Sequence, residues 1–173
     1  MKFVELAIKG VFGIAVKSSI DARGSLTRVW DTDSPLENFN LVQSSFVSNP
    51  KKNTLRGLHY QSPPHAESKL IQCVSGKVFD VIVDLRKESD TYRKHLEVIL
   101  GPGETYFGVL IPRDCAHGYL TLEENTSLIY FMDKEYSQDS SEGIFWNDPS
   151  LEINWPHQPV LISERDSKWQ VLA

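Results

Sequence analysis

The stretch Thr54-Leu55-Arg56-Gly57-Leu58-His59-Tyr60-Gln61 sets an arginine and a histidine into an apolar segment that reads as a β-strand. Lys69 opens a second such segment, and Ala116-His117-Gly118-Tyr119 lies in a third. Charged and polar side chains on apolar strands are costly unless they line a cavity and bind something. The pattern predicts an anion-binding pocket with proton-transfer chemistry.

Outward from this stretch, short strands are expected over residues 12–16, 25–30, 41–47, 54–60, 69–74, 78–85, 95–100, 105–111, 117–122 and 127–132. Turn chemistry separates them: Asp21-Ala22-Arg23-Gly24, Ser48-Asn49-Pro50, Ser62-Pro63-Pro64, Ser75-Gly76, Gly101-Pro102-Gly103 and Pro112-Arg113-Asp114. One short helix is expected over 35–40, and Arg86-Lys87-Glu88 reads as a solvated turn. With no repeat or linker, the pattern gives one all-β domain over residues 1–173, a sandwich or barrel of the jelly-roll kind. After Gly143 the chain becomes irregular and rich in Trp and Pro. It is expected to wrap the barrel and deliver Ser163-Glu164-Arg165-Asp166 to one end.

A chain of 173 residues can bury a core without staples. Its 18 Lys and Arg against 23 Asp and Glu give a net charge of −5, which offers no global field for nucleic acid or an anionic membrane. Any anionic ligand must be held by a local cluster. Cys73 and Cys115 lie in apolar segments without metal-type spacing and read as buried thiols of a reduced, cytoplasmic protein. Lys2, Glu5 and Lys9 precede only a short apolar run at 11–16, so neither a signal peptide nor a membrane span is expected.

Further motifs stand in order along the chain: Asp21-Ala22-Arg23-Gly24, Leu55 to Gln61, Lys69-Leu70, the run from Gly76 to Ser89, Ile111-Pro112, Ala116-His117-Gly118 and Tyr130. Glu142-Gly143, Trp146-Asn147-Asp148-Pro149, Trp155-Pro156 and Ser163 to Asp166 continue the series, so it covers nearly the whole chain. In this order they resemble the dTDP-4-dehydrorhamnose 3,5-epimerase family, cupin-type jelly rolls of nucleotide-sugar biosynthesis. The resemblance implies epimerisation beside a ketone: a proton α to the sugar's 4-keto group is removed, the enolate is stabilised, and a proton returns on the opposite face. His59 matches the base, and a histidine needs little shift from its ordinary pKa of about 6.5 for that work. Asp166 matches its partner, fixing the tautomer and stabilising the imidazolium. Lys69 matches the cation on the enolate oxygen and Tyr130 the phenol that returns the proton. Arg56, with Arg23 from the second subunit of the family's homodimer, would clamp the diphosphate. His117 resembles a further pocket residue.

Taken singly, His59 reads as a structural strand residue, Tyr130 as core and Asp166 as a solvated turn former; their joint order argues for the site. His65, His95 and His157 read as surface or loop residues. A metal-binding cupin would need a second histidine where Gln61 stands, so no metal or organic cofactor is expected. Gln43 follows the family as a substrate-binding residue, whereas Ser25-Leu26-Thr27-Arg28, Ser45 after the Val42-Gln43 pair, and Glu135-Tyr136 depart from it at positions that face the base and its sugar. A CDP- or GDP-linked 4-keto-6-deoxy sugar and epimerisation at carbon 3 alone therefore stay open beside the dTDP reading. A keto-isomerase of the same group is a further alternative, as is a non-catalytic sugar-nucleotide binder. The pathway implied is deoxysugar supply for surface polysaccharide, such as lipopolysaccharide O-antigen.

Overall fold

The computed structural model describes residues 1–32, 35 and 39–172. Fourteen strands follow in chain order: β1 (Lys2–Glu5), β2 (Phe12–Ala15), β3 (Ser19–Asp21), β4 (Gly24–Leu26), β5 (Gln43–Asn49), β6 (Thr54–Gln61), β7 (Lys69–Ser75), β8 (Val78–Asp84), β9 (His95–Leu100), β10 (Gly108–Ile111), β11 (Cys115–Thr121), β12 (Thr126–Met132), β13 (Ser141–Gly143) and β14 (Leu161–Ile162). One sheet runs β1-β2-β10-β7-β12-β5 and the other β13-β6-β11-β8-β9, with β14 alongside β6. The expected all-β jelly roll is what forms. No helix among the described residues is long and apolar enough to cross a membrane.

Alternation decides what each face carries. Ile71, Cys73, Val109, Ile111 and Leu128 from the first sheet meet Val78, Ile82, Cys115 and Tyr119 from the second in the core between them. The opposite face of the first sheet packs Ile14, Leu70, Leu110 and Phe131 against Trp30 and Phe39. On the second sheet, Leu58, Val81, Val83 and Ala116 are covered by Ile144 and Leu151, and Leu55 and Leu120 by Trp146. Strands β8 and β11 are thus buried on both faces, which is why they read as nearly continuous apolar runs. The covering residues come from the irregular segment after Gly143, as expected. Its Trp155 indole N–H donates to the Trp146 carbonyl at 2.9 Å, satisfying the polar edge of a packed ring.

Several expectations need correction. Of residues 25–30 only the start is strand: β4 pairs with β3 in a separate two-stranded hairpin whose residues are all exposed. The segment 105–111 becomes strand only at Gly108, and β1, β13 and β14 carry too few residues to show a period. Residues 36–38 of the expected helix lie outside those described. The two cysteines are free and buried, with burial pushing both thiols up to about 12, as a reduced core requires.

Arg86 is not solvated. Asp84, buried at the end of β8, accepts from the Arg86 Nε at 2.8 Å and Nη2 at 2.8 Å, and from the Ser89 and Thr91 hydroxyls at 2.6 Å each. Burial alone would raise this carboxyl, but the donors, Arg86 foremost, hold it far below the usual carboxylate range. A depressed folded value contributes stability that is complete above the unfolded pKa of about 3.9 and is lost as pH falls through the folded one. Urea unfolding across pH should therefore show the stability gap between wild type and Asp84→Asn constant above about pH 5 and shrinking below about pH 4.

Candidate active site

Arg56 and His59 stand three apart, an odd spacing that would send them to opposite faces of a regular strand. The register against β11 shifts between them: Arg56 lies opposite Tyr119, and His59 opposite His117. Tyr119 and His117 share the inward face of β11, so Arg56 and His59 both turn inward. The shift depends on Gly57, whose φ is +130°, and a Cβ there would sit 2.4 Å from the Gly118 Cα.

The Gly57 N–H also points at the site, donating to the Asp166 Oδ2 at 3.2 Å, while the other Asp166 oxygen meets the His59 Nε2 at 2.6 Å. The Asp166 N–H bonds the Ser163 hydroxyl at 3.0 Å, which fixes the tail beneath the dyad. The Asp166 side chain is 6% exposed and His59 40%, so the carboxylate is sheltered and the ring reaches the opening. Burial would raise Asp166; the His59 hydrogen bond and charge, with the Gly57 N–H, outweigh it and keep the carboxyl below its ordinary range. With Nε2 engaged, the second ring nitrogen is left for a proton from outside. A cavity of about 430 Å³ opens here, lined by Arg56, His59, Ser163, Arg165 and Asp166.

The facing sheet brings the other expected groups. Tyr130 lies opposite Ile71 and Ser45, and Lys69 opposite Met132 and Ile111, so both share the inward face with the core residue Ile71. The Tyr130 ring stands 6.2 Å from that of His117, edge on, across the gap between the sheets. Burial raises the Tyr130 phenol well above its ordinary value, so it is protonated at neutral pH. The Lys69 Nζ is 2.7 Å from Glu67, and both side chains are below a tenth exposed.

His117 is buried with its Nε2 2.7 Å from Asp80 Oδ2; the other Asp80 oxygen has no hydrogen-bond partner among the described residues. Arg56 donates through Nε to Asn49 Oδ1 at 2.9 Å, leaving the rest of its guanidinium at the opening. Gln43 and Ser45 lie on the inward face of β5, and Gln43 Oε1 accepts the Tyr136 N–H at 2.9 Å. Glu135 is exposed beside it. Arg23 stands apart, 90% exposed at the hairpin tip and paired with Asp21 at 2.6 Å. His65 holds the Ser140 hydroxyl at 2.9 Å and His95 pairs with Glu97 at 3.1 Å, both away from the dyad. Among the described residues no group of three or more His, Cys, Asp or Glu is placed to hold a metal ion.

Sequence reasoning missed Asp80, Asn49, Glu67 and Trp169, whose ring lies 6.4 Å from that of His59. Asp80 alone left a signal, an acid alternating inward on an apolar strand. The others sit in loops or at strand ends, where no period marks them.

A jelly roll with a His–Asp dyad on one sheet and a buried lysine and phenol on the other defines an enzyme of proton transfer. The chain belongs to the dTDP-4-dehydrorhamnose 3,5-epimerase family, whose model matches residues 5–173, and it is an epimerase of nucleotide sugars. It is 34% identical to the dTDP-4-dehydrorhamnose 3,5-epimerase of Sinorhizobium fredii over 171 residues, covering 96% of this chain and 87% of that one. The crystal structure of the Bacillus anthracis enzyme, with TDP and pyrophosphate bound, superposes with a TM-score of 0.91 at 34% identity over 99% of both chains. The Legionella pneumophila enzyme, in complex with dTDP-4-keto-L-rhamnose, gives 0.90 at 31% identity over 98% of this chain and 92% of that one.

The register shift is testable through Gly57→Ala. A Cβ at a positive φ and in backbone contact should destabilise the fold by about 3 kcal/mol, read by urea unfolding. The same change should weaken the dyad, because the Gly57 N–H holds Asp166.

Proposed function

We propose that this epimerase inverts carbons 3 and 5 of a dTDP-linked 4-keto-6-deoxy sugar, using His59 as base, Lys69 on the enolate oxygen and Tyr130 as acid. One observation carries the reading: His59 and Tyr130 rise from facing sheets, so a sugar ring between them meets a base on one side and a protonated phenol on the other. Inversion needs that opposition, because the proton must leave one face and return to the other. The TDP and pyrophosphate bound by the Bacillus anthracis relative and the dTDP-4-keto-L-rhamnose bound by the Legionella pneumophila one support the dTDP-sugar assignment.

Asp166 fixes the His59 tautomer and stabilises the imidazolium that forms. Its sheltered position leaves the ring as the proton-transferring group. Lys69 meets developing negative charge away from bulk water, where such a charge acts most strongly. Arg56 binds diphosphate with the part of its guanidinium not engaged by Asn49. His117, Gln43, Ser45 and Glu135 border the sugar and base. The reaction needs no metal or organic cofactor, since Lys69 supplies the positive charge at the enolate.

A homodimer completes the site in this reading. The β3–β4 hairpin exposes Ile20 at 80% and Leu26 at 77%, one on each face, and β5 exposes Phe46 at 65% on a sheet edge. A second copy covering these groups would carry the Arg23 at its hairpin tip towards the diphosphate. The product feeds deoxysugar supply for surface polysaccharide, and the enzyme works in the cytoplasm, where its unpaired thiols persist.

Nuclear magnetic resonance in deuterated water separates the readings. With dTDP-4-keto-6-deoxyglucose, wild type should wash deuterium into carbons 3 and 5. Exchange at carbon 3 alone would mean a monoepimerase, no exchange a binder, and a displaced carbonyl a keto-isomerase; the CDP- and GDP-linked sugars test the nucleotide. His59→Gln should cut exchange at both carbons by about 10²- to 10⁴-fold with nucleotide affinity little changed. Tyr130→Phe should keep exchange yet form little inverted product, and equal loss of both would reduce Tyr130 to a wall of the pocket. Arg56→Ala should weaken dTDP binding by about 1.5–3 kcal/mol in calorimetry, the range for hydrogen bonds to a charged group.

A further inference from the structure

Lys69 enters a face of β7 that is otherwise apolar, and its ion-pair partner is Glu67, two residues earlier in the preceding loop. The Glu67 Oε1 lies 2.7 Å from Nζ, and the Glu67 Oε2 accepts from the Gln61 side-chain amide. Gln61 is two residues beyond His59 and shares its inward face of β6. Its amide is itself held, donating to the His65 carbonyl at 3.0 Å and the Glu135 carbonyl at 3.2 Å and accepting from the Ser137 N–H at 2.6 Å. A single carboxylate thus joins the strand of the base to the strand of the lysine. With both side chains below a tenth exposed, water does little to screen the pair.

We infer that Glu67 is a positioning residue for the epimerisation, holding Lys69 as an ammonium at a set distance from His59. The inference rests on the role given to Lys69 above. An ammonium inside the barrel without a counter-ion would be driven to lose its proton or to swing out, because burial disfavours the charged form. Neutral, it would offer the enolate no full positive charge. Glu67 supplies the counter-charge from the side, and Gln61 fixes the carboxylate so that it does not follow the lysine. The other ionisable groups that face inward on the elements around Lys69 are Tyr130 on β12, Asp133 just beyond it, which is paired with Arg113 at 2.8 Å, and Arg56 and His59 on β6. Asp133 is already neutralised by Arg113 and bonds the Ser68 N–H at 2.7 Å, which leaves Glu67 as the carboxylate facing the ammonium.

The test uses Glu67→Gln, Glu67→Asp, Lys69→Met and the double variant Glu67→Gln/Lys69→Met in the full chain. Deuterium wash-in is followed from pH 6 to 10, with dTDP affinity measured alongside. Glu67→Gln should lower kcat about tenfold with KM within about twofold, and its loss of exchange on the alkaline side should begin at lower pH than in wild type. Glu67→Asp, which keeps the charge on a shorter arm, should restore most but not all of the rate and leave the alkaline limb in place. In the Lys69→Met background, Glu67→Gln should add nothing, because its effect passes through the lysine. A wild-type rate and pH profile in Glu67→Gln, or a loss that adds in full to that of Lys69→Met, overturns the inference. If Glu67→Gln does not fold, Glu67→Asp decides alone: its shorter reach draws the ammonium away, so a modestly lowered kcat at unchanged KM supports the inference and a wild-type kcat overturns it. Lys69→Met with undiminished exchange would instead overturn the role of the lysine itself, a failure distinct from that of Glu67.

Discussion

The Asp166 carboxylate is the contact on which the site depends. One oxygen meets the His59 ring at 2.6 Å, and the other takes the Gly57 N–H at 3.2 Å. That N–H is available because the strand departs from regular pairing at Gly57, and the same departure turns Arg56 and His59 to one face. A residue far along the chain therefore seals an irregularity near its beginning and makes it functional. Gly118, which leaves room for Gly57 on the neighbouring strand, belongs to the same arrangement.

The two sheets contribute unequal chemistry. The second sheet, covered outside by Trp146, Leu151 and Trp155, carries both histidines of the two His–Asp pairs: His117 meets Asp80 within the sheet, and His59 meets Asp166 from the C-terminal tail. The first sheet supplies Lys69 and Tyr130 from positions that alternate with pure core. Low polarity around these groups strengthens every charge–charge interaction between them and raises the cost of any left unpaired. The Lys69–Glu67 contact answers that cost for the lysine, as the Asp80 contact does for His117.

Much of this was legible in the chain. The apolar strands 78–85 and 95–100, the turn chemistry between them and the Trp-rich tail pointed to a covered barrel, because alternation and turn residues act locally. The identities of His59, Lys69, Tyr130 and Asp166 were legible only as an ordered set, since none is distinctive alone. Their geometry was not legible. The spacing of Arg56 and His59 argues against a shared face until the register shift is seen, and a shift is a property of two strands together. Arg86 looked solvated because its partner, Asp84, hides its carboxylate at a strand end. The short strands β1, β13 and β14 have no period to read; they form because a neighbour offers them an edge.

Trp169 has a consequence of another kind. Its indole lies 6.4 Å from the His59 ring, with the Arg165 guanidinium 4.9 Å from its ring centre, whereas Trp146 and Trp155 are set against each other on the outer cover. An imidazolium quenches a nearby indole more than a neutral imidazole does. With Trp30, Trp146 and Trp155 replaced, the emission of Trp169 would be an optical record of the proton on the dyad.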